Sequence, residues 1–157
     1  MLCSNVIIYL LFLNLKIHTM DATFKKLNYK EGQPLFVIHP PMTFEEMIHT
    51  LPDHTSVFYE IKPTDLVDFI MVFTMNKIEL NELVKSFVLC LNGDAVVWIA
   101  YPKGTSKRYK CDFNRDDCWE LMAPWQMMPV RQVAIDDDWS ALRFRNVKFI
   151  KSDKHIV

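Results

Sequence analysis

The stretch Tyr101-Pro102-Lys103-Gly104-Thr105-Ser106-Lys107-Arg108-Tyr109-Lys110 carries the densest potential chemistry in the chain. Four cations and two hydroxyls in one loop suit a phosphate or a carboxylate, which needs positive charge and several donors converging on one point. Asn114 follows at the start of a helical pattern and is an expected N-cap, so the N–H groups of that helix would add to the same field. The candidate anion-binding residues are therefore Lys103, Gly104, Lys107, Arg108, Asn114 and Arg115. Lys103 takes the leading role in this expectation, because Pro102 restricts the chain before it and Gly104 permits close backbone approach after it. The competing reading is a solvated basic loop that balances Asp112, Asp116 and Asp117.

Other chemistries lack their residues. With three glycines against eight prolines, the chain has no glycine-rich phosphate cradle. No Gly-x-Ser-x-Gly, His-Glu-x-x-His or Walker sequence occurs, so hydrolase and NTPase chemistry have no local support. His39, His49, His54 and His155 have no ligand spacing, and Cys3, Cys90, Cys111 and Cys118 lack the paired short spacings of a zinc site; no metal is assigned. The unpaired cysteines point to a reducing, cytoplasmic compartment. Arg131, Asp136, Asp138, Arg143 and Arg145 are expected to form cross-strand charge pairs on an exposed face. Trp98, Trp119, Trp125 and Trp139 are expected as packing residues, since no nucleic-acid motif surrounds them. Eighteen Lys and Arg against 19 Asp and Glu leave a net charge of −1, so no global field favours nucleic acid or an anionic membrane.

These residues need a scaffold, and 157 residues, half of them apolar and 24% charged, suit one soluble domain. Leu35 to His39, closed by Pro40-Pro41, is a predicted buried strand. Thr43, three residues before Glu46, predicts a capping box opening a helix that stops by Leu51, ahead of Pro52. Ser56 to Ile61 and Val67 to Thr74 are two further strands. Between Ile78 and Leu91, Leu80, Leu83, Val84, Phe87, Val88 and Leu91 recur at helical spacing, and Asn92-Gly93 supplies the expected stop. Ala95 to Tyr101 then completes a βαβ unit. Arg115 to about Ala123 is a helix ended by Pro124, and Val130 to Ile135 pairs with Trp139 to Arg145 as an antiparallel hairpin. Only about five residues join Ile61 to Val67, so either an extended segment runs back along the sheet or those two strands are antiparallel neighbours. Val6 to Leu13 is apolar but too short to span a membrane, and no secretory cleavage pattern follows it. Residues 1–19 are thus expected to be an upstream extension, through a misplaced start or as a weak anchor, with one α/β domain over residues 20–149 and a polar tail over 150–157.

The stretches Tyr101-Pro102-Lys103-Gly104, Phe113-Asn114-Arg115-Asp116, Trp119 to Pro124 and Pro129 to Arg145 together resemble a family of short bacterial domains of unknown function. That resemblance implies a small cytoplasmic α/β protein and brings no assigned reaction. The element order is also similar to the second half of a class I methyltransferase fold, with strand, helix, strand, helix and a terminal antiparallel hairpin. The fold class expected is therefore α/β: one small domain, a largely parallel sheet flanked by helices, and a C-terminal hairpin, like a truncated Rossmann or methyltransferase fold.

A methyltransferase or dinucleotide binder needs glycines after the first strand, so that backbone N–H groups can approach the cofactor. Here that position reads His39-Pro40-Pro41-Met42, which removes two donors and fixes two φ angles. Glu60, near the end of the second strand, has the type of a ribose-binding acid, but the expectation for a glutamate at a strand end is a solvated residue. The expectation is a binding or regulatory module that takes no cofactor, neither S-adenosylmethionine nor a nicotinamide dinucleotide, and whose partner is an anionic small molecule or another protein. The alternative is a degenerate methyltransferase-like enzyme acting on an anionic small molecule.

Overall fold

The computed structural model describes residues 19–151. The expected N-terminal extension, apart from its last residue, the apolar run from Val6 to Leu13, Cys3, His155 and all but two residues of the polar tail lie outside the described residues. The elements in chain order are α1 (Ala22–Lys26), β1 (Leu35–Ile38), α2 (Met42–Ile48), β2 (Val57–Phe58), β3 (Val67–Phe73), α3 (Lys77–Phe87), β4 (Leu91–Pro102), α4 (Arg115–Met122), β5 (Met127–Ala134) and β6 (Trp139–Asn146).

All six strands form one sheet in the order β2-β1-β3-β4-β6-β5. The first four are parallel to one another, and β6 and β5 run antiparallel beside β4. Strands covered on both faces are apolar at nearly every position, and β3 shows it: Asp68 is its one exposed residue. On one face Ile70, Val72, Val97, Ile99, Leu142 and Phe144 pack with Leu80, Val84 and Phe87 of α3 and with Cys118 and Met122 of α4. On the other, Phe69, Met71, Phe73, Trp98, Ala100 and Ala141 meet Phe24 of α1 and Phe44 of α2. Trp98 satisfies its buried indole N–H by donating to the Leu27 carbonyl at 2.8 Å.

Several boundaries differ from those expected, each for a physical reason. Helix α2 starts at Met42 with Pro41 at the N-cap, and Thr43 is not a cap, because its hydroxyl donates to Asp136 Oδ2 at 2.8 Å. The second strand keeps only two residues, since Tyr59 and Glu60 already turn into solvent. Both β2 and β3 flank β1 in parallel, so the antiparallel alternative for them is overturned. The connection runs back across the α3 face instead, where Ile61 packs on the core, and it includes a turn closed by the Asp65 N–H on the Lys62 carbonyl.

Helix α3 ends at Phe87, continues as a 3-10 turn over Val88–Cys90, and gives way to β4 at Leu91. Asn92-Gly93 is therefore no helix stop. Gly93 adopts φ 55° inside the strand, where the β3–β4 register shifts between the Val67–Leu91 and Phe69–Val96 pairs. A left-handed residue suits such a bulge as well as it suits a helix end.

The buried stripe of α3 is Leu80, Val84 and Phe87. Phe87 is fully buried, so Phe87→Ala is expected to cost about 3–5 kcal/mol through lost transfer energy and the cavity left behind. Chemical denaturation measures this directly, and an unchanged midpoint and slope would contradict the packing.

Candidate functional site

The sheet order reverses at β1, which has β2 on one side and β3 on the other. Open α/β sheets bind ligands in the crevice outside the strand carboxyl ends at such a point. A cavity of about 360 Å³ occupies it here, lined by His39, Pro41, Phe73, Thr74, Met75, Glu79, Tyr109 and Trp139. Beside it, at the carboxyl end of β4, a second cavity of about 410 Å³ is lined by Tyr101, Lys103, Gly104, Lys110, Cys111, Phe113, Asn114 and Arg115 among others. Tyr109 lines both, so the two form neighbouring compartments of one face.

His39 leaves β1 in the left-handed region, with φ 53°, a conformation histidine tolerates better than most side chains. Its Nδ1 lies 3.2 Å from Glu79 Oε1, and Glu79 Oε2 accepts from the buried Thr74 hydroxyl at 2.5 Å. Glu79 is held in the first turn of α3, where its N–H donates to the Asn76 cap. An imidazole oriented by a carboxylate beside a largely apolar wall can give or take a proton. Sequence reasoning missed this pair because its members stand forty positions apart; the available signal was a histidine at the end of a buried strand.

The basic loop is clamped as well as charged. Lys103 donates from its backbone to the Asp138 carbonyl at 2.7 Å and from Nζ to the Asp136 carbonyl at 2.5 Å. Ser106 Oγ donates to Asp138 Oδ1 at 2.7 Å, and Arg108 lies 3.8 Å from the same carboxylate. The Arg108 guanidinium sits 5.6 Å from the centroid of the Tyr109 ring. Asn114 caps α4 as expected, accepting from Asp116 and Asp117 N–H, and Asp117 returns the bond to the Asn114 N–H. Those N–H groups thus serve the cap itself.

Of the six candidates, Lys103, Gly104, Asn114 and Arg115 line the second cavity, and Lys107 and Arg108 do not. Lys110, outside that set, joins them. A Cβ on Gly104 would meet nothing within 4 Å, so its neighbours do not demand a glycine. The nearby acids are committed elsewhere: Asp112 accepts from Lys77 N–H and Asn76 Nδ2, and Asp117 pairs with Lys77 Nζ at 2.5 Å. Lys110 and Arg115 have no carboxylate partner among the described residues, where no group of three or more His, Cys, Asp and Glu could hold a metal. Beneath them, burial pushes the Tyr101 phenol and the Cys111 thiol up, and it drives the Cys118 thiol up to about 12, with Cys111 and Asp117 adding to the effect. The floor of the cavity therefore stays neutral beneath Lys110 and Arg115, with Asp116 close enough to add to the rise of the Tyr101 phenol.

The tryptophans divide. Trp98 and Trp139 are buried and Trp125 packs at the core edge, whereas Trp119 is 46% exposed on α4. Among the described residues, only Arg145 of the hairpin charges pairs across strands, and its partner lies in β4 and not in the hairpin. Arg145 binds Asp94 of β4, and Asp136 and Asp138 serve the turn and the basic loop.

No family model and no curated protein matches the chain, so the family expected from the motifs of residues 101–145 gains no match. Among solved structures the chain is similar to a SAM dependent methyltransferase from Aquifex aeolicus, at TM-score 0.57 and 11% identity over 90% of this chain and 98% of that one. It is also similar to the N-methyltransferase NodS from Bradyrhizobium japonicum WM9, at TM-score 0.49 and 15% identity over 72% and 73%. LepI in complex with SAM matches at TM-score 0.49 and 12% identity, and this chain spans 39% of the LepI length. The chain has a single-domain, Rossmann-like α/β fold of the methyltransferase type.

That fold implies S-adenosylmethionine, and the residues after β1 do not fit it. Pro40 and Pro41 offer no N–H where the cofactor needs backbone donors, and His39, in the left-handed position open to glycine, sends its imidazole to Glu79.

Because the folded-state value of Cys118 lies above the ordinary 9.0, the stability it contributes is complete below about pH 9 and declines as pH rises towards 12. Native protein treated with iodoacetamide at pH 8 is expected to keep Cys118 unlabelled while denatured protein is labelled, as read by peptide mass spectrometry. Labelling at equal rates in both states would contradict its burial.

Proposed function

We propose that this chain is a small cytoplasmic binding or regulatory module that holds an anionic small molecule in the crevice at the carboxyl ends of its strands. One observation carries the reading: Lys110 and Arg115 converge on a cavity of about 410 Å³ and have no carboxylate partner among the described residues. The adjoining compartment, walled by Phe73, Tyr109 and Trp139, suits an apolar or aromatic portion of the same molecule. Lys103 is here a positioning residue, since its ammonium is spent on the Asp136 carbonyl and fixes the loop that presents Lys110. Among the described residues Cys90, Cys111 and Cys118 are free thiols, which supports a reducing compartment, and no helix there is long and apolar enough to cross a membrane.

A second reading, a degenerate methyltransferase-like enzyme acting on an anionic small molecule, is favoured by the likeness to the Aquifex aeolicus protein over nearly all of that chain. The His39–Glu79 pair would serve it as the proton-handling group. Calorimetric titration separates the two readings. Pyrophosphate is expected to bind saturably and S-adenosylmethionine and S-adenosylhomocysteine are not; saturable micromolar binding of either adenosyl compound would favour the enzyme.

The double variant Lys110→Ala, Arg115→Ala is expected to lose pyrophosphate binding in the crevice with its melting temperature nearly unchanged, because exposed cations contribute little to stability. Wild-type affinity should also fall steeply with added salt. Wild-type binding by the double variant would leave the loop a solvated connector.

A further inference from the structure

The hairpin carries an arrangement that its own fold does not resolve. In the β5–β6 register Arg131 stands directly opposite Arg143, so two guanidinium stems leave the same face with Cβ atoms about 5 Å apart. On its other side Arg143 is opposite Trp98, which is buried and has given its indole N–H to Leu27. Asp94, the acid that acts on Arg143, is bound by Arg145, whose Nε reaches both carboxylate oxygens at 2.9 and 3.1 Å. No carboxylate among the described residues pairs with Arg131 or Arg143. Arg143 Nε is moreover buried with no hydrogen-bond partner.

Like charges directly across a ladder destabilise it, and a buried donor left unpaired costs more than the bond it would make. Both costs fall on one residue pair, and an anion held between the two guanidinium groups would relieve the repulsion between them. We propose that Arg131 and Arg143 form an anion site at the hairpin edge of the sheet face that carries α1 and α2, and that it takes a phosphate-type dianion, as inorganic phosphate or as a phosphate monoester. Two planar forks match two edges of a tetrahedral oxyanion, and two negative charges balance the two uncompensated cations. Burial, and after it the neighbouring Arg145, holds the Arg143 ionisation below its ordinary value, with Asp94 opposing the shift and Arg131 adding to it. The site is separate from the crevice: Trp98, its partner in β4, lies four residues before the carboxyl end of that strand at Pro102.

The test uses the full chain carrying Lys110→Ala and Arg115→Ala, so that crevice binding is already removed and the two sites fail independently. Inorganic phosphate and phenyl phosphate are titrated while the arginine Nε–Hε resonances are followed by NMR, with sodium chloride at matched ionic strength as control. Saturable shifts of the Arg131 and Arg143 signals are expected with one or both phosphates, and phenyl phosphate alone would identify a monoester. Adding Arg131→Gln should weaken binding by at least about tenfold, the loss expected for a charge-assisted contact. It should also leave the melting temperature no lower without ligand, because Arg131 is exposed and its opposition to Arg143 is relieved. Phosphate should raise the melting temperature of the Arg131-containing protein and not that of Arg131→Gln. Absence of saturable shifts, equal shifts with chloride, or undiminished binding by Arg131→Gln would overturn the proposal.

Discussion

The Asp136-Asp137-Asp138 turn holds the carboxyl-end face of the sheet together. Asp136 Oδ1 accepts the N–H groups of Asp138 and Trp139 at 2.8 and 2.7 Å, closing the hairpin on itself. Its other oxygen takes the Thr43 hydroxyl from α2, and its carbonyl takes the Lys103 ammonium. Asp138 binds Lys103 through its carbonyl and Ser106 through its carboxylate. One three-residue turn thus connects the helix after β1, the loop after β4 and the β5–β6 hairpin, elements that lie far apart in sequence and share the carboxyl end of the sheet.

The shape of the crevice follows from that constraint. The loop after β4 is drawn toward the hairpin, which sets Tyr109 against Trp139, ring centroids 5.2 Å apart, between the two compartments. From the opposite side Asp112 ties the end of the loop to the start of α3 through Lys77 N–H and Asn76 Nδ2. A loop fixed at both ends leaves the backbone that carries Lys110 and Arg115 little conformational freedom to lose. On the β1 side the same face is closed to a backbone-cradled cofactor by Pro40 and Pro41. The scaffold therefore shares a methyltransferase-type sheet, and at its carboxyl end it presents charged side chains where a backbone cradle would need N–H groups.

What was legible in the sequence was what depends on neighbours in the chain. The α3 stripe of Leu80, Val84 and Phe87 repeats at helical spacing, and the Asn114 cap with Asp117 three residues on is wholly local, so both stand where expected. The hairpin and the crossover from β3 to β4 were legible for the same reason. Asn92-Gly93 misled because a left-handed glycine serves a helix end and a strand bulge equally well. Thr43 misled because its hydroxyl found Asp136, 93 positions away, in place of its own helix N–H groups. The His39–Glu79 pair and the unpaired Arg131 and Arg143 were illegible, since each depends on sheet order or register, and nothing within either segment encodes which strand lies beside it.

Amide hydrogen exchange of Asp136→Ala against wild type tests most directly whether this turn organises the face. Protection of the Lys103 N–H, which donates to the Asp138 carbonyl, and of the Ser106 N–H, which donates to the Lys103 carbonyl, is predicted to fall sharply in the variant. The amides of α3 should keep their wild-type protection, because their bonds lie on the other face and involve no residue of the turn. Unchanged protection at Lys103 and Ser106 would contradict the account, as would a uniform loss across α3 and the loop alike.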